Sequence, residues 1–341
     1  MSTDNNSSKL PLLLPDVKQF VQNYYENVNT DFVYYTTAET AFYIIKNKEI
    51  WIRNASLMND RQEIKFGDEM VRRVLFNELK SELEEILNNV NYEGGIDAFI
   101  EGYERIEKDI LKNTFILSFS QHSKNEDGIG RLSMWREYGK KTGIAFVFEK
   151  KALLELLKGF STISMESGYG EPFALLMPVL YKEDAFFKQQ YEAVLKDIDG
   201  NISRYTSGDY TRPNACGNEL LLLACISTLH FKHLGFLEEK EIRFVMSSYE
   251  DGVGFYHTFR DCFKKNEVIN GIPQSIYSIK LSDNNYKNHI GLDKLIKQII
   301  IGPSKHNDAL CIKESLFDLI SKEDSLFKKD KIYLSDIPLR L

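Results

Sequence analysis

The chain has 341 residues, 43% of them hydrophobic and 27% charged, which excludes a chain disordered throughout. Its 43 Lys+Arg against 50 Asp+Glu give a net charge of −7; this excludes a uniformly basic surface for duplex DNA but leaves room for a local basic groove. With 22 Phe, 18 Tyr and 2 Trp, the chain has the rings to build a core or to line a pocket for flat ligands.

In chain order, residues 1–30 read as a polar arm followed by a short amphipathic helix over 12–25. Residues 31–341 read as one α+β domain. Residues 32–36 (Phe-Val-Tyr-Tyr-Thr) are β-branched and aromatic, which predicts a strand. Thr37 is placed to cap a helix over 38–46, and a short strand follows over 50–53. Residues 61–88 and 96–111 carry apolar stripes at helical spacing. They predict a helical hairpin, an insertion over about 61–112 packed against the sheet. Strands are expected at 114–120 and 143–148, with a polar loop over 121–131 and a helical turn at 133–138 between them. Beyond these the pattern gives helices over 151–157, 184–195, 219–231 and 308–320. It gives extended segments at 175–181, 241–246, 276–281, 298–301 and 332–334, and a long loop over 200–213. The most apolar run, 220–229, is about half the ~20 residues that a membrane span needs, so it predicts a buried helix and no membrane association.

The four cysteines, Cys216, Cys225, Cys262 and Cys311, have no zinc-ligand spacing. With no signal peptide evident, they read as reduced thiols of a cytoplasmic protein. No phosphate-binding Gly-rich loop, HExxH or nucleophile-elbow pattern occurs. His230 and His233, three apart, read as a solvated pair near a helix C-terminus rather than metal ligands. No metal site is expected.

Chemistry-bearing residues recur where strands meet loops, which is where sites form. Tyr34, Tyr35 and Thr36 close the first strand, and Arg53 closes the second. Asn59 and Asp60 lie in the loop after it. Ser118 and Ser120 end the third strand, and Trp135, Arg136 and Tyr138 follow in a helical turn. Glu239, Glu241 and Arg243 mark a late strand. There Glu241 and Arg243 share one face, opposite the apolar Ile242, Phe244 and Met246. Tyr34, Thr36, Ser120, Trp135 and Glu241 are expected to converge on one cleft.

The order and spacing of these junctions resemble the bacterial family labelled domain of unknown function 2971. The resemblance rests on residues 33–37 and on Asn59-Asp60-Arg61-Gln62-Glu63, where Arg61 replaces a proline of the family pattern. It continues through Phe119-Ser120, Met134-Trp135-Arg136-Glu137-Tyr138-Gly139 and Gly143-Ile144-Ala145-Phe146. Lys232, Phe236 (at a Trp position), Glu239, Glu241 and Arg243 follow in register, and residues 299–303 close it. The family label states no function.

A second similarity is to the ADP-ribosyltransferase layout. In that layout an early strand bears His or Arg, a middle strand bears Tyr or Ser, and a late strand bears Glu or Gln. Tyr34 stands at the early His position and is the departure from the pattern. This similarity implies a mixed-sheet core, NAD as substrate, and Glu241, Glu239, Ser120 and Tyr34 as the catalytic set. Tyr35, Thr36, Asn59, Asp60, Ser118, Trp135 and Tyr138 would hold NAD, with Arg53, Arg136 or Arg243 on its pyrophosphate. It implies ADP-ribose transfer to a macromolecule (nucleic acid, single-stranded among the candidates, or protein). The setting would be toxin or antiviral defence chemistry with a protein regulator or antitoxin. The alternatives are a non-catalytic nucleotide- or partner-binding module and an NAD glycohydrolase.

Overall fold

The computed structural model describes residues 30–57, 61–139, 142–158, 173–181, 184–207, 213–247, 262–269, 271–281 and 291–338. The expected helix at 12–25 and the residues Asn59 and Asp60 lie outside them.

Strand β1 (Asp31–Thr37) runs into α1 (Ala38–Asn47), whose first turn is capped by Thr37, the side chain accepting from Thr40 N. Lys48, with φ 51°, turns the chain into β2 (Glu49–Asn54). A helical layer follows: α2 (Arg61–Arg73), a π-helical turn (Val74–Glu78), α3 (Lys80–Asn89) and α4 (Gly95–Asn113). Then come β3 (Thr114–His122), α5 (Leu132–Tyr138), β4 (Gly143–Phe148), α6 (Lys150–Lys158), β5 (Phe173–Pro178) and β6 (Leu180–Tyr181). Next are α7 (Asp184–Gly200), α8 (Ile202–Tyr205), α9 (Ala215–Thr228), β7 (Phe231–Lys232) and β8 (Glu241–Ser247). The chain continues through β9 (Cys262–Ile269), β10 (Ile272–Lys280), α10 (Leu292–Leu295), β11 (Ile296–Ile301), α11 (His306–Glu323) and β12 (Ile332–Leu334).

The α+β class is therefore as the sequence predicts. Among the described residues, ten strands form one mixed sheet in the order β12-β11-β4-β1-β3-β2-β10-β9, with β8 joining β3 and β5 joining β8. Its pairs are antiparallel except β11 with β12. Strand β3 is the hub. On one edge it pairs with β8 over Thr114–Ser120. On the other it meets β2 only at Ile116 and Phe115, and β1 only from Ser120 to His122. The sheet forks at residues 117–119.

The two faces of the sheet bury different layers. One face holds Phe32, Phe119, Phe146, Ile242 and Phe244 under α1, α6 and α11. The other carries two separate apolar clusters. The larger packs Ile116 and Val245 against α2, α4, α7 and α9; the smaller gathers Val33, Tyr35, Met134, Trp135 and Val147.

The helices of the insertion do not pack against the sheet alone. Helix α9 lies against both α2 and α4, so closely that a Cβ on Gly67 would sit 2.4 Å from Thr228 O and one on Gly102 would sit 3.2 Å from a Leu221 methyl. The helices between β2 and β3 thus share one core with α7 and α9. The sequence pattern within 61–112 could not show this, because the partner helix arrives a hundred residues later. Two local readings also change. Part of the expected 200–213 loop is helical (Ile202–Tyr205). Strand β9 was not expected, because its Lys264-Lys265-Asn266-Glu267 run hides the alternation. No described helix is long and apolar enough to cross a membrane.

Candidate functional site

Between the two clusters on the helical face runs a polar seam, set by strand register. Val33 pairs with Ser120, and Ser120 pairs with Glu241, so these three lie in one row on one face. Ser118 is opposite Arg243 one step along.

Arg243 is fully buried. Its Nε donates to Glu241 Oε1 at 2.8 Å, its Nη2 to Oε2 at 3.1 Å and its Nη1 to Leu229 O at 2.9 Å. Lys232, 1% exposed, donates to Glu239 Oε2 at 2.7 Å and to Glu241 Oε2 at 3.3 Å. Its ammonium lies 4.7 Å from the centroid of the Phe236 ring. The Tyr181 hydroxyl accepts from Glu241 N at 2.8 Å. Burial alone would raise the Glu241 pKa. The Arg243 and Lys232 charges, with hydrogen bonds from Arg243, outweigh it and hold the carboxyl at about 2. Burial likewise acts to lower the Lys232 pKa, and the Glu241 carboxylate outweighs it, so the ammonium is held well above its ordinary value. Lys232, Phe236, Glu239, Glu241 and Arg243, dispersed over twelve positions, are thus one ion and ring network.

A second network closes the seam toward Trp135, and its centre is Arg131, the last residue of the polar stretch 121–131. Arg131 Nε and Nη2 grip Glu126 at 2.6 and 2.9 Å. Nη1 donates to Ser120 Oγ at 2.7 Å and to Glu238 O at 2.8 Å, and Nη2 to Gln121 O at 2.7 Å. Ser120 Oγ in turn donates to Glu239 O at 2.5 Å. The Arg131 amide donates to the Tyr35 hydroxyl at 2.9 Å. Burial is the main cause that pushes the Tyr35 pKa up to about 12. The Ser123–Glu126 capping box, with Ser123 N donating to Glu126 Oε2 at 2.8 Å, is the local sequence signal that fixes this loop.

The expected single cleft is corrected on several points. Tyr34 and Thr36 alternate with Val33 and Tyr35, so they face the other side of the sheet from Ser120 and Glu241. Tyr34 packs there against the Phe119 layer, with ring centroids 6.4 Å apart. Its pKa is raised by burial, partly offset by the Arg53 charge and a Thr36 hydrogen bond. Trp135 is 2% exposed, its indole donating to Ile129 O at 2.9 Å. Cβ atoms on Gly130, Gly143 and Gly302 would all come within 3 Å of its ring, and Tyr35 meets it edge-on at 4.9 Å. These glycines exist to seat the indole, which leaves no free face for nicotinamide. Tyr35 is likewise enclosed, and Tyr138 packs against this cluster.

Arg243 is committed to Glu241 and so is not a pyrophosphate ligand. Arg53 Nη2 reaches Leu57 O at 3.3 Å and Gln274 Oε1 at 3.5 Å, and Arg136 is exposed. His230 is buried, not solvated. Its Nδ1 is 2.8 Å from Ile226 O, which makes Nδ1 the protonated nitrogen, and burial lowers its pKa to about 4. His233 stands apart as the cap of the turn Leu234–Glu239, accepting from Gly235 N at 3.1 Å.

No curated protein and no solved structure matches the chain. The model of the family described as protein of unknown function (DUF2971) matches residues 134–244, a stretch that contains both the seated Trp135 and the Lys232-to-Arg243 network. Over this segment the chain is similar to the DUF2971 family.

Proposed function

We propose that this chain is an ADP-ribosyltransferase of the cytoplasm, with an ADP-ribosyltransferase-like sheet, moving ADP-ribose from NAD to a macromolecular acceptor. One observation carries the reading. The early, middle and late segments of that layout, far apart in sequence, are neighbouring strands β1, β3 and β8, with Ser120 opposite Glu241. In the reaction, the bond between ribose C1′ and the nicotinamide nitrogen breaks, and its electron pair leaves with nicotinamide. An acceptor oxygen or nitrogen then bonds to C1′ and gives up its proton. An ionised carboxylate beside the ribose stabilises the oxocarbenium-like transition state. Glu239, whose side chain is 15% exposed on the outer side of Lys232, is the better placed to touch substrate. Glu241, 5% exposed, adds fixed negative charge behind it.

A second reading, a non-catalytic binding module, is favoured by the occupancy of Glu241, both of whose oxygens are taken by Arg243 and Lys232. Incubation of the chain and cell lysate with NAD labelled in the adenylate part tests both. Transfer predicts label in macromolecules, removable by nuclease or by protease. Nicotinamide release without such label would indicate glycohydrolysis. Binding of NAD with neither product would indicate the module.

A further inference from the structure

The turn Leu234–Glu239, between β7 and β8, buries none of its residues, and it exposes Leu234, Phe236 and Leu237 at 41%, 42% and 54%. Three large apolar side chains shown to solvent on six residues are unusual for a surface turn and mark a contact site. Phe236 is the member with a defined second neighbour, because the buried Lys232 ammonium lies 4.7 Å from its ring centroid. Held by Glu239 and Glu241, that ammonium stays in place.

We infer that Phe236 is a stacking platform for a neutral nucleobase. A cation behind a ring draws π-density toward itself. The other face is then complementary to a flat, neutral, electron-rich ring, and it disfavours a cationic one such as the pyridinium of NAD. Leu234 and Leu237 extend the apolar surface, and Lys240, exposed at the end of the turn with φ 45°, offers a charge to a phosphate. The inference deepens the transfer reading by naming the ring class received beside Glu239; it rests on that reading only for the purpose of the contact, and its test reads binding alone.

The test is fluorescence anisotropy with a labelled single-stranded adenine hexanucleotide, competed by AMP and by nicotinamide mononucleotide. The last two are matched monophosphates whose rings are neutral and cationic. Wild type should bind. Phe236→Ala should weaken binding about tenfold or more at unchanged Tm, the loss expected for one stacked base, and Phe236→Trp should retain it. AMP should compete at least about tenfold better than nicotinamide mononucleotide. Hexanucleotide affinity well above that of AMP would assign the platform to a strand, and equal affinity to a free nucleotide. Absence of wild-type binding, equal binding by Phe236→Ala, or equal competition by the two monophosphates would overturn the inference. Binding without NAD turnover would overturn the transfer reading and leave this one standing.

Discussion

Glu241 and Arg243 occupy the positions where an exposed ion pair would contribute about 0–1 kcal/mol, but burial changes their arithmetic. Neutralising Glu241 removes the carboxylate that Arg243 holds at 0% exposure and one of the two carboxylates that hold Lys232. Glu241→Gln should therefore cost about 3–5 kcal/mol in urea unfolding, the usual loss when one member of a buried pair is removed. The paired change Glu241→Leu with Arg243→Met should restore most of it. A Glu241→Gln protein within about 1 kcal/mol of wild type would contradict the network. His230 gives a separate pH signature. Its folded pKa, about 4, lies below the ordinary 6.5, so the unfolded chain binds more protons between those values. Stability should fall as pH drops through that window, by up to about 3 kcal/mol. The Glu241 contribution is lost lower, as pH falls from about 4.5 through about 2. His230→Gln should reduce the slope in the upper window, to which the buried His122, its pKa also lowered by burial, still contributes, and leave the lower one, as read by Tm against pH. Residue types and spacing made the Lys232-to-Arg243 series legible in the sequence. They did not reveal Arg131, because an arginine in a Gly-containing polar loop has no periodic signature until the loop folds back on Ser120.

At the scale of elements, period-2 alternation holds within each strand but does not say which residues of neighbouring strands share a face. Ser120 and Glu241 share a row, while Tyr34 and Thr36, which look equivalent in sequence, lie on the other face because Val33 is the residue in register. Register is a property of pairs of strands, and one strand's sequence does not contain it. Helix packing shows the same division. The apolar stripe of α2 is plain in the sequence, but the need for Gly67 appears only when α9 arrives 2.4 Å from where its Cβ would be. Gly67→Ala should cost about 1–3 kcal/mol or more, since the obstructing atom is backbone. Gly200→Ala, in α7 with nothing within 4 Å of the added Cβ, should be neutral or stabilise by up to about 1 kcal/mol. Similar melting temperatures for the two variants would contradict the close α2–α9 contact.

For the whole molecule, the α+β class and most elements were legible because strands such as β4 and helices such as α4 have strong local patterns. The coupling of the 61–113 helices to α7 and α9 was not, because it is made of contacts distant in sequence. That coupling predicts that deletion of residues 61–112 abolishes cooperative unfolding of the entire chain, since it opens the core formed by Val71, Leu75, Phe99, Leu220 and Val245. A deletion variant with a single sharp transition would show the insertion to be separable. The seam between the two clusters is tested most directly by nicotinamide release from NAD by wild type and by Glu239→Gln, with lysate as acceptor. Glu239 is the more exposed carboxylate of the network, and Lys232 keeps Glu241 when it is neutralised, so the variant should keep its fold. Wild type should release nicotinamide, and the variant should lose about 10²–10³ of that rate at similar Tm, the scale of one electrostatic transition-state contact. Equal release by both proteins, or none by wild type with any acceptor, would contradict it.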